Sequence, residues 1–316
     1  MTKKQIKKLK DEVTPEMIKN DRRPGKSESA KSVYNKAKIT NNKKKIRMNA
    51  LIRRIKILMK SIRVRRFLSE APKEQDNNDP NIILVKTNYI RAPRFRINTV
   101  IKEKDGKKSV IKKAATPEAE SFLDHIERGR QMLKGIYNQI EVIDCRRTDE
   151  GLDFDFIDGQ DLLEKIDPNT DPIDKIRKAI DETFAVIFDI KEDPKPFEET
   201  EQFRRNFPGI HPGGKEQSYS VTNLDSNLDN FKRQGDRIFC FDYEWVEDYP
   251  IPVRFVKFRA LLRYYVQNKE ALCNRISRKA FISMFGYTGK DIRMFTAMEE
   301  SFQLYIEDLG SKGSRF

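Results

Sequence analysis

The chain has 316 residues, 37% hydrophobic and 35% charged, with a net charge of +14, enough apolar material for one large domain or two lobes. No apolar run approaches the ~20 residues that cross a bilayer, and the opening "MTKKQIKKLKDEV" lacks the apolar stretch of a secretory signal. Three scattered cysteines (Cys145, Cys240, Cys273) without a CxxC pair argue against a disulfide framework or zinc site, and two histidines (His125, His211) make a Ser-His-Asp relay or poly-His metal site improbable. A reducing cytoplasm is the expected setting.

The charge is uneven. Residues 1–70 hold 23 Lys and Arg against 6 Asp and Glu, which leaves the remainder at −3. Residues 1–45 read as a basic, disordered arm. In "IRMNALIRRIKILMKSIRVRRFL", Met48, Leu51, Ile52, Ile55, Leu58, Met59 and Ile62 recur at helical spacing among arginines and lysines, which predicts a basic amphipathic helix over 46–68. Its apolar face suits docking on the body of the protein, an anionic membrane surface or another partner. Nucleic acid is the weakest of these, because the rest of the chain is near neutral and carries no aromatic-basic strand motif. Residues 69–81 read as a linker.

From Ile82 the texture is strand-like. "NIILVKTNYI", "RFRINTVI" and "KDGKKSVIKK", the last with a turn at Asp105-Gly106, predict three antiparallel strands. "TPEAESFLDHIERGRQMLKGIY" predicts a helix with Thr116 as N-cap and Pro117 at its first position. "IEVIDCRRTDEGLDFDFIDG" adds two strands around Glu150-Gly151. Five strands with a helix after the third outline a kinase-type small lobe over 82–160. The following 161–310 are richer in helix, clearest in "DPIDKIRKAIDETFAVIF" and "VRFVKFRALLRYYVQNKEALCNRI", and 311–316 form a tail. The expected class is α+β, with a small antiparallel N-lobe, a mainly helical C-lobe and a basic N-terminal arm.

Phosphoryl transfer from a nucleotide needs an Asp to orient the acceptor hydroxyl, an Asn and a second Asp to hold magnesium, and a strand-borne Lys for the phosphates, usually braced by a helix Glu. In "VTNLDSNLDNFKRQGDRIFCFDYEWV", Asp225 and Asn230 have the Asp/Asn spacing, and the strand "RIFCF" leads to Asp242. Alone, that spacing is an ordinary polar turn. After a small lobe and before a terminal Asp, it becomes a candidate active-site loop.

"YIRAPRFRINTVI", "VIKKAATPEAE", "VTNLDSNLDNF", "FDYEWVEDYPIPVRFVKFRALLRYY" and "FTAMEESFQLYIED" resemble the kinase-like domain of bacterial surface-polysaccharide (O-antigen or rhamnan-type) biosynthesis proteins. Its wider relatives are the aminoglycoside phosphotransferases and choline kinases. The resemblance covers residues 82–308 and is most specific at "DYEW". Together with the strand order it implies a two-lobed protein-kinase-like fold, and it implies ATP and Mg2+ as cofactors, a sugar or glycan acceptor and a glycosyltransferase or methyltransferase partner. It implies a catalytic Asp225, metal ligands Asn230 and Asp242, and Glu244 assisting the metal or facing the acceptor. It also implies a phosphate-binding Lys112, with Lys113 a close competitor. Strand alternation favours Lys112. For the helix Glu, Glu127 has the better spacing and Glu120 lies nearer. Trp245 and His125 read as packing residues. The loop "FPGIHPGG" around His211 reads as a connector, or as a segment closing over substrate.

Two features depart from the family. Asn223 stands where a kinase has His, and no G-x-G-x-x-G loop is present. The basic turn Lys104-Asp105-Gly106-Lys107 is the candidate replacement for that loop. Both departures leave open a non-catalytic kinase-fold module that binds a glycosyltransferase or the membrane. If the enzyme is active, the basic helix places it peripherally on the inner face of the cytoplasmic membrane.

Overall fold

The computed structural model describes residues 79–213 and 215–307. The expected arm 1–45, helix 46–68 and tail 311–316 lie outside them, as does the linker before residue 79.

Strands β1 (Ile82–Thr87), β2 (Ile97–Lys104) and β3 (Lys107–Ala114) form an antiparallel meander. Lys104 pairs with Lys107 across a two-residue turn at Asp105-Gly106, whose φ values are 52° and 71°. Positive φ at both positions matches the right-handed twist of the flanking strands. Next come helix α1 (Glu120–Leu133), β4 (Ile140–Val142), β5 (Cys145–Thr148) and β6 (Gly151–Asp155). The five-stranded sheet has the order β1-β2-β3-β6-β5, and α1 buries Phe122, Leu123, Ile126 and Leu133. The helix starts later than the sequence predicts. Pro117–Ala119 form a 3-10 turn, and Thr116 makes no cap; its hydroxyl donates instead to the Pro93 carbonyl at 2.8 Å.

β4 does not join this sheet. It pairs in parallel with β12 (Arg237–Cys240), which pairs with β11 (Phe231–Gln234), which in turn pairs with β7 (Gln160–Asp161). The remainder is mainly helical: α2 (Ile173–Ile187), α3 (Glu201–Asn206), α4 (Val253–Gln267), α5 (Lys269–Leu272), α6 (Arg278–Ser283) and α7 (Gly289–Ile306). The long helix expected after Pro252 divides at Asn268, whose side-chain amide and backbone N–H both donate to the Tyr264 carbonyl. Two lobes of a kinase-like fold result. Trp245 joins them, packing on Phe95 and Phe122 from one side (5.0 and 4.8 Å between ring centres) and on Phe302 of α7 from the other (5.4 Å).

Candidate active site

The segment after β12, Asp242-Tyr243-Glu244-Trp245, alternates acidic and aromatic residues. In extended chain, alternate side chains point to opposite sides. Tyr243 and Trp245 are buried, and the Tyr243 hydroxyl donates to the Ile143 carbonyl at 2.8 Å. Asp242 and Glu244 face the other way and meet Lys112 of β3. The Lys112 ammonium donates to Asp242 Oδ1 at 2.6 Å and to Glu244 Oε1 at 2.7 Å. The Asp242 side chain is 38% exposed and the Glu244 side chain 7%.

The β11–β12 hairpin explains why Asn230 and Asp242 converge. Phe231 pairs with Cys240, and one step beyond, the Phe241 N–H donates to the Asn230 carbonyl at 3.2 Å. The Asn230 side-chain amide donates to the Asp225 carbonyl at 2.8 Å, closing the loop over its five-residue span. Asp225 itself is pinned on both sides. The Trp245 N–H donates to its Oδ2 at 3.0 Å, and its own N–H donates to Asn223 Oδ1 at 2.9 Å. Asn223 is buried and pairs with Val246, joining β10 (Thr222–Asn223) to β13 (Val246–Glu247). The residue that departs from the kinase His is thus the loop's turn-former, which suits an Asn side chain.

Helix α4 buttresses the loop from behind. Arg259, Arg263 and Gln267 recur every four residues on one stripe. Arg259 donates to the Leu224 carbonyl and to Glu299 at 2.6 Å. Arg263 grips Asp229 through Nε and Nη2 at 3.0 and 2.8 Å, and Gln267 adds a bond of 2.8 Å.

One participant is absent from the sequence reading. Arg91, in the connection between β1 and β2, donates to Glu244 Oε2 at 2.6 Å. That connection lies at Lys112's end of the sheet, since the Ala115 N–H donates to the Arg96 carbonyl at 2.9 Å. The basic turn at 104–107 lies at the other end: Lys112 is five residues up β3 from Lys107, ~17 Å at strand rise. The cation that the small lobe adds beside Lys112 is therefore Arg91, and the turn is too far along the strand to share that position.

The electrostatics follow the contacts. Burial would lower the Lys112 pKa, but Asp242 and Glu244 outweigh it and hold the pKa above the ordinary lysine range. Burial would raise Glu244, but Lys112 and Arg91 pull it down to about 2. Asp225 goes the other way. Burial, then the negative charges of Asp242 and Glu244, push it up to about 7 against the pull of Arg259 and Arg91.

The structure thus brings Lys112, Asp242 and Glu244 into contact and bonds Asn230 to Asp225. Lys113 pairs with Glu150 on the sheet instead. Among the described residues, neither Glu127 nor Glu120 forms an ion pair with Lys112. Glu120 pairs instead with Arg147 of β5 at 3.4 Å. Each Glu244 carboxylate oxygen already accepts from a cation, Oε1 from Lys112 and Oε2 from Arg91. Asp242 and Asn230 fit magnesium better. Asp242 gives Lys112 only Oδ1, and Asn230 spends its amide nitrogen on Asp225, which leaves its carbonyl oxygen as the coordinating end. No group of three or more His, Cys, Asp or Glu suited to a metal exists among the described residues. Magnesium here would rely on these two side chains, phosphate oxygens and water, its usual preference. Trp245 packs as expected. His125 stacks on Phe122 at 5.8 Å, and His211 meets Glu199 at 3.0 Å in an exposed loop.

No protein-family model and no curated protein sequence matches the chain. Among solved structures it is similar to a macrolide 2'-phosphotransferase from Brachybacterium faecium, with 15% identity, a TM-score of 0.33, and coverage of 72% of this chain and 88% of that one. It is similar to a choline kinase from Streptococcus pneumoniae, with 11% identity, a TM-score of 0.31, and coverage of 69% and 85%. An ADP-bound aminoglycoside phosphotransferase gives 11%, 0.32, and coverage of 76% and 99%. At this identity and overlap the likenesses say nothing of substrate.

Proposed function

We propose that this chain is an ATP- and magnesium-dependent phosphotransferase acting on a hydroxyl of a sugar or glycan intermediate in surface-polysaccharide assembly. The observation that carries the reading is the meeting of Lys112 with Asp242 at 2.6 Å, beside a loop that holds Asp225 and Asn230 by hydrogen bonds. Asp225, pushed up to about 7 in the ligand-free site, would orient the acceptor hydroxyl and take its proton. The Trp245 N–H and Asn223 fix its orientation. Lys112 would turn to the nucleotide phosphates, and Asp242 with Asn230 would hold magnesium, which when bound neutralises phosphate charge. The sugar or glycan acceptor and the glycosyltransferase or methyltransferase partner follow from the family resemblance. The basic segment 46–68 would hold the enzyme at an anionic membrane surface. No described helix is long and apolar enough to cross a membrane.

A second reading, a non-catalytic module, is favoured by one observation: Lys112 and Asp242, the groups that would bind nucleotide and metal, neutralise each other. Two measurements decide. Mg-ATP should raise the melting temperature, and phosphate transfer to candidate glycans should vanish in Asp242→Ala and Asp225→Asn. Transfer that survives Asp242→Ala refutes the enzyme reading; absence of any nucleotide-dependent shift supports the module.

A further inference from the structure

The Glu244 carboxylate is shared. Lys112 holds Oε1 and Arg91 holds Oε2, at 2.7 and 2.6 Å, with both carboxylate oxygens in a buried place. The loop that carries Arg91 is not a free flap. The Ala92 N–H donates to the Ile306 carbonyl at the end of α7 at 2.8 Å, Thr116 clamps Pro93, and the Arg91 N–H donates to the Asn88 carbonyl at 3.1 Å. The guanidinium lies 5.8 Å from the Trp245 ring centre and 6.0 Å from that of Phe122. Its Nη1 is buried without a hydrogen-bond partner among the described residues, a cost that a purely stabilising pair would avoid.

Charge counting shows what this sharing does. Lys112 and Arg91 balance Asp242 and Glu244. If Lys112 turned to a phosphate with no Arg91 present, Glu244 would be left as a buried, unpaired carboxylate, which is strongly unfavourable. We propose that Arg91 is a positioning residue for Lys112: by sharing Glu244 it keeps that carboxylate as the lysine's brace while leaving the ammonium free to turn to a nucleotide phosphate. Glu244 thereby fills the place expected of a helix glutamate. The inference rests on the phosphotransferase reading.

The test uses the full chain and two readouts. In the nucleotide-free protein, acylation of Lys112 by acetic anhydride is followed by mass spectrometry, with Lys113 of the same strand as internal reference. Arg91→Met leaves Glu244 to Lys112 alone, so Lys112 is held tighter and acylates several-fold more slowly. Glu244→Gln leaves Lys112 only its ion pair with Asp242, so Lys112 acylates faster. A merely structural role would loosen the site and speed both. The second readout is binding of metal-free ATP, followed by the fluorescence of Trp245. Arg91→Met should weaken it about tenfold, the equivalent of ~1.4 kcal/mol, and Arg91→Lys should recover most of that loss. Wild-type ATP affinity in Arg91→Met, or faster acylation in both variants, overturns the proposal. If the wild-type protein binds no ATP, the phosphotransferase reading falls, and the acylation arm alone decides whether Arg91 shares the brace.

Discussion

Gly151 is the residue whose substitution should strike the site without touching it chemically. It opens β6 with φ of 137°, and a Cβ built there would lie 2.3 Å from the Lys112 carbonyl oxygen and 3.1 Å from Lys113 Cα. The obstacles are backbone atoms of β3, so no side chain can swing aside. Carbon and oxygen settle at about 3.3 Å in close contacts, so Gly151→Ala must push β3 away at Lys112 by ~1 Å. Misplacing a reacting or positioning group by ~1 Å costs on the order of 10²-fold in rate. The non-glycine residue at this φ adds about 1–3 kcal/mol of strain, a fall of roughly 2–12 °C in melting temperature for a domain of this size. Gly235, in the β11–β12 turn at φ of 61°, has nothing within 4 Å of its built Cβ. Gly235→Ala therefore pays a similar strain away from Lys112. Steady-state kinetics and melting curves of both variants separate the effects: both should melt lower, and only Gly151→Ala should lose turnover. Unchanged kcat in Gly151→Ala, or an equal loss in Gly235→Ala, would refute the argument.

The ratio kcat/KM, which reports the free enzyme, should rise with pH through about 7 as Asp225 ionises. Asp225 binds its proton more tightly folded than unfolded, where a carboxylate titrates near 3.9, so its contribution to ligand-free stability is present below about pH 4 and lost as pH rises towards 7; Asp225→Asn should flatten that part of the unfolding profile. His125 has the opposite sign: burial, then the Arg128 charge, lowers it to about 4. Its contribution is present above about pH 6.5 and lost as pH falls towards 4, and His125→Phe, which keeps the stack on Phe122, should remove this acid sensitivity in melts across that range. Asn223→Ala deletes the acceptor for the Asp225 N–H and should cost ~1 kcal/mol in denaturant unfolding, with a larger fall in kcat than in nucleotide affinity. Glu127→Ala and Glu120→Ala should leave kcat/KM within about twofold, because neither carboxylate forms an ion pair with Lys112 among the described residues; a tenfold loss in either would restore the helix glutamate as the lysine's partner.

Much of this architecture was legible because its signals are local. Alternation marked β2 and β3, Asp105-Gly106 marked their turn, and the spacing of Asp225, Asn230 and Asp242 survived into one hairpin-closed loop. The alternation within Asp242-Tyr243-Glu244-Trp245 already implied that both carboxylates share a side. What was not legible depends on partners distant in sequence. The three residues of β4 read the same in either sheet, and only β12 decides which they join. Asn268 ends α4 through bonds to Tyr264 that no composition foretells. Arg91 sits among Pro and aromatic residues with no pattern of its own, and its importance appears only when the chain returns with Glu244 more than 150 residues later.

The change of brace has a mechanical consequence. Where a helix glutamate holds the lysine, the helix must sit correctly for the pair to form, and its displacement is a means of control. Here the brace, Glu244, is two residues from Asp242 on one extended segment, so the carboxylate that steadies Lys112 and the one that would meet magnesium are placed together. That segment is tied to the Asp225 loop through the β10–β13 pair and the Trp245 N–H. The Arg91 loop is tied to the end of α7. Every element that fixes the site is thus anchored in the C-terminal lobe or bonded to it, while Glu120 of α1 pairs with Arg147 of β5. Among the described residues, movement of α1 therefore has no ion pair through which to disengage Lys112. A lone Arg on a rigid loop, in place of flexible backbone glycines, fits a site assembled before nucleotide arrives.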